Sequence, residues 1–274
     1  LLLGCDLFNE NISDALSGAL SVEYFHNFTL MHDDIMDEAD LRRGHLTVHK
    51  KFGVNEAILS GDVLLIYAYK ALTAYSPDIQ AQLMELFNDT AIEVCEGQSM
   101  DTSFENRMDV TEKEYVEMIR LKTAVLLAAA LKMGAIIGGA SNEEANLLYE
   151  FGVNLGIGFQ IQDDILDTYG NEAVGKKIGG DIVQNKKTLL FIKALAKSEQ
   201  NNDNALLKLI EQPNLDDASK ISQVKAIYNQ YKVLEYAEDL KNQHVNKAMM
   251  ALKKIQQSHD LLTQIADQLV NRNY

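Results

Sequence analysis

His26-Asn27-Phe28-Thr29-Leu30-Met31-His32-Asp33-Asp34-Ile35-Met36-Asp37 is the stretch whose reading decides the fold. It closes a run of apolar residues at three- and four-residue intervals, the spacing of a buried helical stripe, and it ends in three aspartates. On a helix Asp33 and Asp37 are four positions apart and share a face, so together they make a claw of hard oxygen ligands. The pattern returns far downstream as Asp163-Asp164-Ile165-Leu166-Asp167, again at the end of a helical run. One acidic run is usually a solvated helix face; a second copy of the same pattern makes that explanation poor. Such claws suit Mg²⁺, which keeps water ligands and is commonly shared with substrate phosphates. Two of them suggest one diphosphate gripped through bridging metals.

Working outward, helix signals continue along the chain. Asn11 to Met31 reads as one helix ending in the first claw, and Asn55 to Tyr75 as another, stopped by Ser76-Pro77, which also begins the next. Thr111 with Glu114 and Ser141 with Glu144 have capping-box spacing, predicting helices from near Glu112 to Met133 and from Asn142 through the second claw. About nine such segments occur and no alternation of period two, so the chain is expected to be all-α. Gly44, Gly170, Gly175 and Gly179-Gly180 place a flexible, charged loop beside each claw.

With 274 residues, 47% hydrophobic and 24% charged, the chain can bury a large core, and residues 1–274 are expected to form a single domain. No window of about eighteen apolar residues is free of charge, so no stable membrane span and a cytoplasmic location are expected. A net charge of −15 disfavours nucleic acid and anionic membranes as partners. It also means that an anion can bind only where metals or clustered cations reverse the local sign. Cys5 and Cys95 lack metal-ligand spacing and are expected to be reduced. Leu1-Leu2-Leu3-Gly4-Cys5 opens without a methionine and already reads as the inside of a helix, so a further segment is expected ahead of it.

The cations sit where a diphosphate would need them. Arg42-Arg43-Gly44 follows the first claw, and the planar guanidinium fork binds phosphate oxygens two at a time. Lys176 and Lys186 lie in the loop after the second claw, where they would offset charge developing on a leaving group. Lys122-Thr123, inside an apolar helix, is a third donor set, and Gln98 with Asp101 makes a polar pair three residues apart. His26 lies two helical turns before Asp33 and could hydrogen-bond a second anionic substrate. Phe159-Gln160 places an aromatic face and an amide just before the second claw, and an aromatic ring can stabilise a carbocation through its quadrupole.

Taken in order, the His26–Asp37 stretch, Arg-Arg-Gly, Gly97-Gln98-x-x-Asp101, Lys122-Thr123, Phe159-Gln160-x-x-Asp163-Asp164-Ile165-Leu166-Asp167 and Gly179-Gly180-Asp181 with a following lysine resemble the trans-isoprenyl diphosphate synthases of the polyprenyl synthetase family. The resemblance implies an isoprenoid synthase fold, a helical bundle around a deep central cavity, and head-to-tail prenyl transfer between isopentenyl diphosphate and an allylic diphosphate. It implies that Asp33, Asp37 and Asp163 hold three Mg²⁺ ions, assisted by Asp34, Asp101, Asp164 and Asp167. It further implies that Arg42, Lys122, Lys176 and Lys186 contact the allylic diphosphate, that His26 and Arg43 face isopentenyl diphosphate, and that the protein is a homodimer. Family members carry a Gly-Lys-Arg-like segment ahead of the first claw that is not found before Asn11, which is the second reason to expect a preceding segment.

Product length should be set on the first claw's helix. With about 1.5 Å of rise per residue, Phe28 lies roughly 7.5 Å before Asp33, where a ring blocks elongation. Phe28 and Thr29 are therefore the expected floor of the product channel. In the family two adjacent aromatics there accompany a C15 product and a single one resembles the geranylgeranyl pattern, so C20 is expected ahead of C15.

Overall fold

In the computed structural model, residues 1–170, 178–212 and 215–270 are described. Among these the chain is almost wholly helical. In order come α1 (Leu2–Asp6), a 3₁₀ turn (Ile12–Ala15), α2 (Leu16–Met36), strands β1 (Leu41–Arg42) and β2 (His45–Leu46), α3 (Val48–Phe52), α4 (Val54–Leu72) and α5 (Pro77–Phe104). Then follow α6 (Glu112–Ile119), a π turn (Arg120–Ala124), α7 (Val125–Gly138), α8 (Asn142–Tyr169), α9 (Gly180–Val183), α10 (Leu189–Gln200), α11 (Ala205–Ile210), α12 (Asp217–Gln230), α13 (Val233–Leu252) and α14 (Asp260–Val270).

Helix starts follow local chemistry. The Asn11 side chain bonds to both Ser13 and Asp14, which winds a 3₁₀ turn and delays α2 beyond the start that apolar spacing alone predicts. α2 then runs on through Asp33 to Met36, with Asp37 as its C-cap, so the first claw occupies the last helical turn. Pro77 opens α5, where its missing N–H costs nothing. Both capping boxes form. Thr111 Oγ1 accepts Glu114 N–H at 3.2 Å while Thr111 N–H donates to Glu114 Oε2 at 2.9 Å, and Ser141 and Glu144 repeat the exchange at 3.3 and 3.1 Å.

The residues cluster into two compact units. The first comprises Leu1–Ile92, Leu126–Tyr149 and Ile255–Ser258, and the second Glu93–Val125, Glu150–Lys254 and His259–Tyr274. In the first unit α2 packs along α4, whose Ala57, Gly61, Ala68 and Leu72 are all buried. Small side chains permit that approach: a methyl on Gly61 would collide with the His32 imidazole. Phe25 is buried edge-on to Phe87 at 5.2 Å, and Tyr69 meets Phe87 at 5.0 Å. Leu83, Met133 and Leu148 are buried in the same unit, and each aliphatic side chain so enclosed contributes about 1.5–3 kcal/mol.

The second unit has a continuous core drawn from α6, α8, α10, α12 and α13, including Tyr115, Ile161, Leu189, Leu190, Val224 and Tyr228. The run Glu112–Gly138 is long and apolar enough to cross a membrane by length and composition, with a mean hydropathy of 1.7 in its best window. The expectation of no membrane span therefore does not follow from hydropathy. Of that window 61% is buried inside the protein, and Lys122 and Lys132 lie on the same helical run.

Candidate active site

The first claw divides its three carboxylates by helical angle. Asp37 is exposed and Asp33 partly so, whereas Asp34, one position round the helix, is only 5% exposed. A buried carboxylate needs a partner, and Arg42 supplies it: Nε and Nη2 both reach Asp34 Oδ1 at 2.7 Å, with Nη2 also 3.7 Å from Asp33. Asp34 in return holds the guanidinium proton more tightly than usual.

Arg42 is delivered by a miniature hairpin that period-two reading did not reveal. Two strands of two residues pair antiparallel, Leu41 with Leu46 and Arg42 with His45. The connecting Arg43-Gly44 has φ of 52° and 78°, the two left-handed residues of a type I′ turn. Glycine adopts that conformation freely, but Arg43 does so at a cost of about 1–2 kcal/mol. Strain of this kind at a cation beside an acidic claw marks a position under functional demand.

His26 is half-buried on α2. Burial lowers its pKa, and the charges of Arg43 and Arg42 lower it further against the opposing field of Glu23. His26, Arg42 and Arg43 thus feel one another, and the imidazole is neutral at pH 7. Phe28 stacks edge-on against His32 at 4.7 Å and lies 5.7 Å from Phe25, while the Thr29 hydroxyl is bound to its own helix at His26 O.

In the second unit the cation site is built on a defect. Lys122 and Thr123 sit inside the π turn, not in the regular helix that the sequence predicts. Two glycines let neighbouring helices close on it. A methyl on Gly97 of α5 would collide with the Lys122 backbone, and one on Gly156 of α8 would lie 2.6 Å from Ala124 Cα. Beyond Gly97, Asp101 meets Lys122 Nζ at 2.6 Å, so the lysine is paired and does not merely trail along an apolar face. Gln98 lies half-buried between them on α5. π turns are rare and concentrate at functional sites.

α8 carries the second claw with the same division of labour. Asp163 and Asp167 are partly exposed, and Asp164 is 5% exposed. Phe159 stands four residues before Asp163 and Gln160 four before Asp164, so the ring shares the outer face and the amide the inner one. Gln160 Nε2 donates to Asp164 at 3.3 Å, and Thr123 Oγ1 donates to Gln160 Oε1 at 3.2 Å. Tyr115 donates its hydroxyl to Asp164 at 2.5 Å, and Leu189 N–H donates at 3.3 Å. Burial, aided by the charge of Asp181, nevertheless pushes the Asp164 carboxyl up to about 7. Burial and the carboxylate also push the Tyr115 phenol up.

Asp167 accepts Asp181 N–H at 3.0 Å, and its carbonyl takes Gly179 N–H at 2.6 Å, with Gly179 in the left-handed conformation at φ 80°. The loop after the second claw is thereby tied back onto it. Lys186, exposed, lies 3.8 Å from Asp181. Lys176 lies outside the described residues. Tyr115 was not among the residues singled out from sequence, and Asp181 entered only within the Gly179-Gly180-Asp181 motif, with no role of its own. Gly179-Gly180 before Asp181 was a signal for the second, and nothing local marked the first.

Among the described residues no group of three or more His, Cys, Asp or Glu could cage a metal ion alone. Two outward carboxylates per claw, each with its third turned inward, fit instead an ion that brings water and phosphate oxygens with it. That is the habit of Mg²⁺.

Comparison with known proteins gives this arrangement its setting. The sequence pattern of the polyprenyl synthetase family matches residues 1–231. A short chain isoprenyl diphosphate synthase from Methanothermobacter thermautotrophicus is 37% identical, covering 100% of this chain and 84% of its own length. A geranylgeranyl diphosphate synthase from Methanosarcina mazei is 38% identical with the same coverage, 100% and 84%. A crystal structure of a geranylgeranyl pyrophosphate synthase superposes with a TM-score of 0.93 at 42% identity, over 100% of this chain and 86% of that one. The protein has the all-α isoprenoid synthase fold and belongs to the polyprenyl synthetase family of trans-prenyltransferases.

Proposed function

We propose that the protein is a Mg²⁺-dependent geranylgeranyl diphosphate synthase, adding isopentenyl diphosphate to an allylic diphosphate to give a C20 product. The observation that carries this reading is the shared division within the claws, Asp33 with Asp37 and Asp163 with Asp167 exposed to ligand while Asp34 and Asp164 are buried. Relatives described as geranylgeranyl diphosphate synthases support the chain length.

In this reading both claws belong to one catalytic domain and serve one diphosphate. Asp33, Asp37 and Asp163 would hold Mg²⁺, three ions by family analogy. When bound, Mg²⁺ neutralises the diphosphate and stabilises it as a leaving group. Lys122 and Lys186 add positive charge there, Lys122 after release from Asp101, and Arg42 does so from beside Asp34. The allylic C–O bond breaks, giving an allylic cation that the Phe159 ring and the Gln160–Thr123 dipoles face in a water-poor site. The double bond of isopentenyl diphosphate, held by neutral His26 and by Arg43, attacks that cation. The proton then lost passes to the released diphosphate. Phe28, buttressed by His32 and Phe25, ends the channel, with Thr29 beside it.

Incubation of the protein with Mg²⁺, labelled isopentenyl diphosphate and farnesyl diphosphate should give a linear C20 diphosphate by chromatography, and Phe28→Ala should lengthen it. A cyclic hydrocarbon from the allylic substrate alone would refute the synthase reading, and an unchanged product from Phe28→Ala would refute the floor.

The same reading includes a homodimer. α4 buries Ala57, Gly61, Ala68 and Leu72 on one face yet exposes Leu59, Val63 and Ile66 on the opposite one. A helix apolar on both sides needs a second cover, and a second copy of this chain supplies it. Light scattering should report a dimer that Ile66→Lys dissociates; a wild-type monomer would refute it.

A further inference from the structure

Tyr115 lies on α6, apart from the residues that would bind metal or substrate, and is 2% exposed. Its hydroxyl donates to Asp164 Oδ2 at 2.5 Å, and the same oxygen accepts Leu189 N–H at 3.3 Å. The other carboxylate oxygen accepts Gln160 Nε2 at 3.3 Å, and Gln160 accepts the Thr123 hydroxyl at 3.2 Å. One buried carboxylate therefore ties together α6, the π turn, α8 and the start of α10. Both oxygens of Asp164 are engaged by donors inside the protein, with which a metal ion would have to compete.

We infer that Tyr115 is a positioning residue for the second claw. Its hydroxyl anchors Asp164 as a strut that sets the rotation of the last turns of α8 and hence the aim of Asp163 and Asp167, and Asp164 itself is an acceptor hub and no metal ligand. The consequence is geometric. Mg²⁺ demands near-ideal octahedral positions, so a small turn of this helix moves two carboxylates out of reach together. The inference rests on the reading that Asp163 and Asp167 serve the metal-bound diphosphate.

The test uses the full chain with Mg²⁺ and inorganic diphosphate, reading the Mg²⁺ concentration that gives half of the ligand-induced rise in Tm. Tyr115→Phe, which keeps the ring, should raise that midpoint about tenfold. Met118→Ala, a core change on the same helix that costs stability without touching Asp164, should leave it in place. Asp164→Asn still offers an oxygen to Tyr115 and Leu189, so it should shift the midpoint far less than Asp163→Asn. A wild-type midpoint in Tyr115→Phe, or an Asp164→Asn as damaging as Asp163→Asn, overturns the inference. Should Tyr115→Phe not fold, the two aspartate variants decide it alone. If Asp163→Asn itself leaves the midpoint unmoved, the claw reading fails and takes the inference with it.

Discussion

The two claws share five-residue spelling, a helix terminus and a buried middle aspartate, but they hold that aspartate by opposite means. Asp34 is met by a cation, Arg42, carried on a two-residue strand, with its side chain 35% exposed. Asp164 is met by neutral donors, the Tyr115 hydroxyl, the Gln160 amide and the Leu189 N–H, from the core of its unit. An ion pair near the surface is screened by salt and can be traded for another anion. A set of buried neutral donors answers to packing instead. The first claw's contact is thus one that salt and competing anions can loosen, and the second claw's is one that they leave in place.

The comparison breaks first if the outward aspartates are not equivalent. Asp33→Asn and Asp163→Asn should each lower kcat by about two to three orders of magnitude in steady-state assays with little change in the Tm of the metal-free protein. A loss confined to one of them would mean that the claws do not act on a common group.

Arg42→Ala comes next. It leaves a buried carboxylate facing only water that can reach it, and should destabilise by about 1–2 kcal/mol, discounted for the exposure of the pair. Urea unfolding at low and high salt checks this: the difference between wild type and variant should shrink as salt rises. A difference independent of salt would place Asp34 in the same class as Asp164.

The smallest effect concerns the helix that carries Tyr115. Glu114 closes the capping box at the start of α6, and hydrogen bonds from Thr111 and Arg107 hold its carboxyl down at about 2 against a usual 4.5. A depressed carboxyl pKa contributes stability that is complete above the unfolded value and is lost as pH falls through the folded one. Tm should therefore decline between pH 4.5 and about 2 through this group, and Glu114→Gln should flatten that part of the decline. A profile unaltered by Glu114→Gln would show that the start of α6 is not held by this box.

Much of this organisation was legible in the chain. Claws, capping boxes and the Pro77 start depend on residues within a few positions of one another, and local spacing reports local geometry. Tyr115 was illegible because its partner lies on another helix, and a tyrosine among the charged residues of α6 carries no mark of where its hydroxyl ends. The π turn was illegible because Arg120-Leu121-Lys122-Thr123-Ala124 has good helix formers at every position but Thr123, and the close approach of Gly97 and Gly156 at this turn comes from distant parts of the sequence. The Arg43-Gly44 hairpin escaped notice because two-residue strands show no period. Asp181 stood within a motif without a legible role because its bond to Asp167 is made by its backbone N–H, which any residue there except proline would have.

The π turn has a further consequence for how this chain tolerates change in length. It accommodates one residue more than an α turn, and each residue of a helix advances the azimuth by about 100°. Removing a single residue from 120–124 would let the segment wind as an ordinary α turn and leave the side chains after it near their present azimuth, whereas adding one would rotate each of them by more than a quarter circle and put Leu131 where Lys132 belongs. An insertion that a surface loop would absorb silently acts at this spot as a change of reading frame for the helix, and apart from Lys122 and Thr123 the segment should tolerate the loss of a residue far more readily than the gain of one.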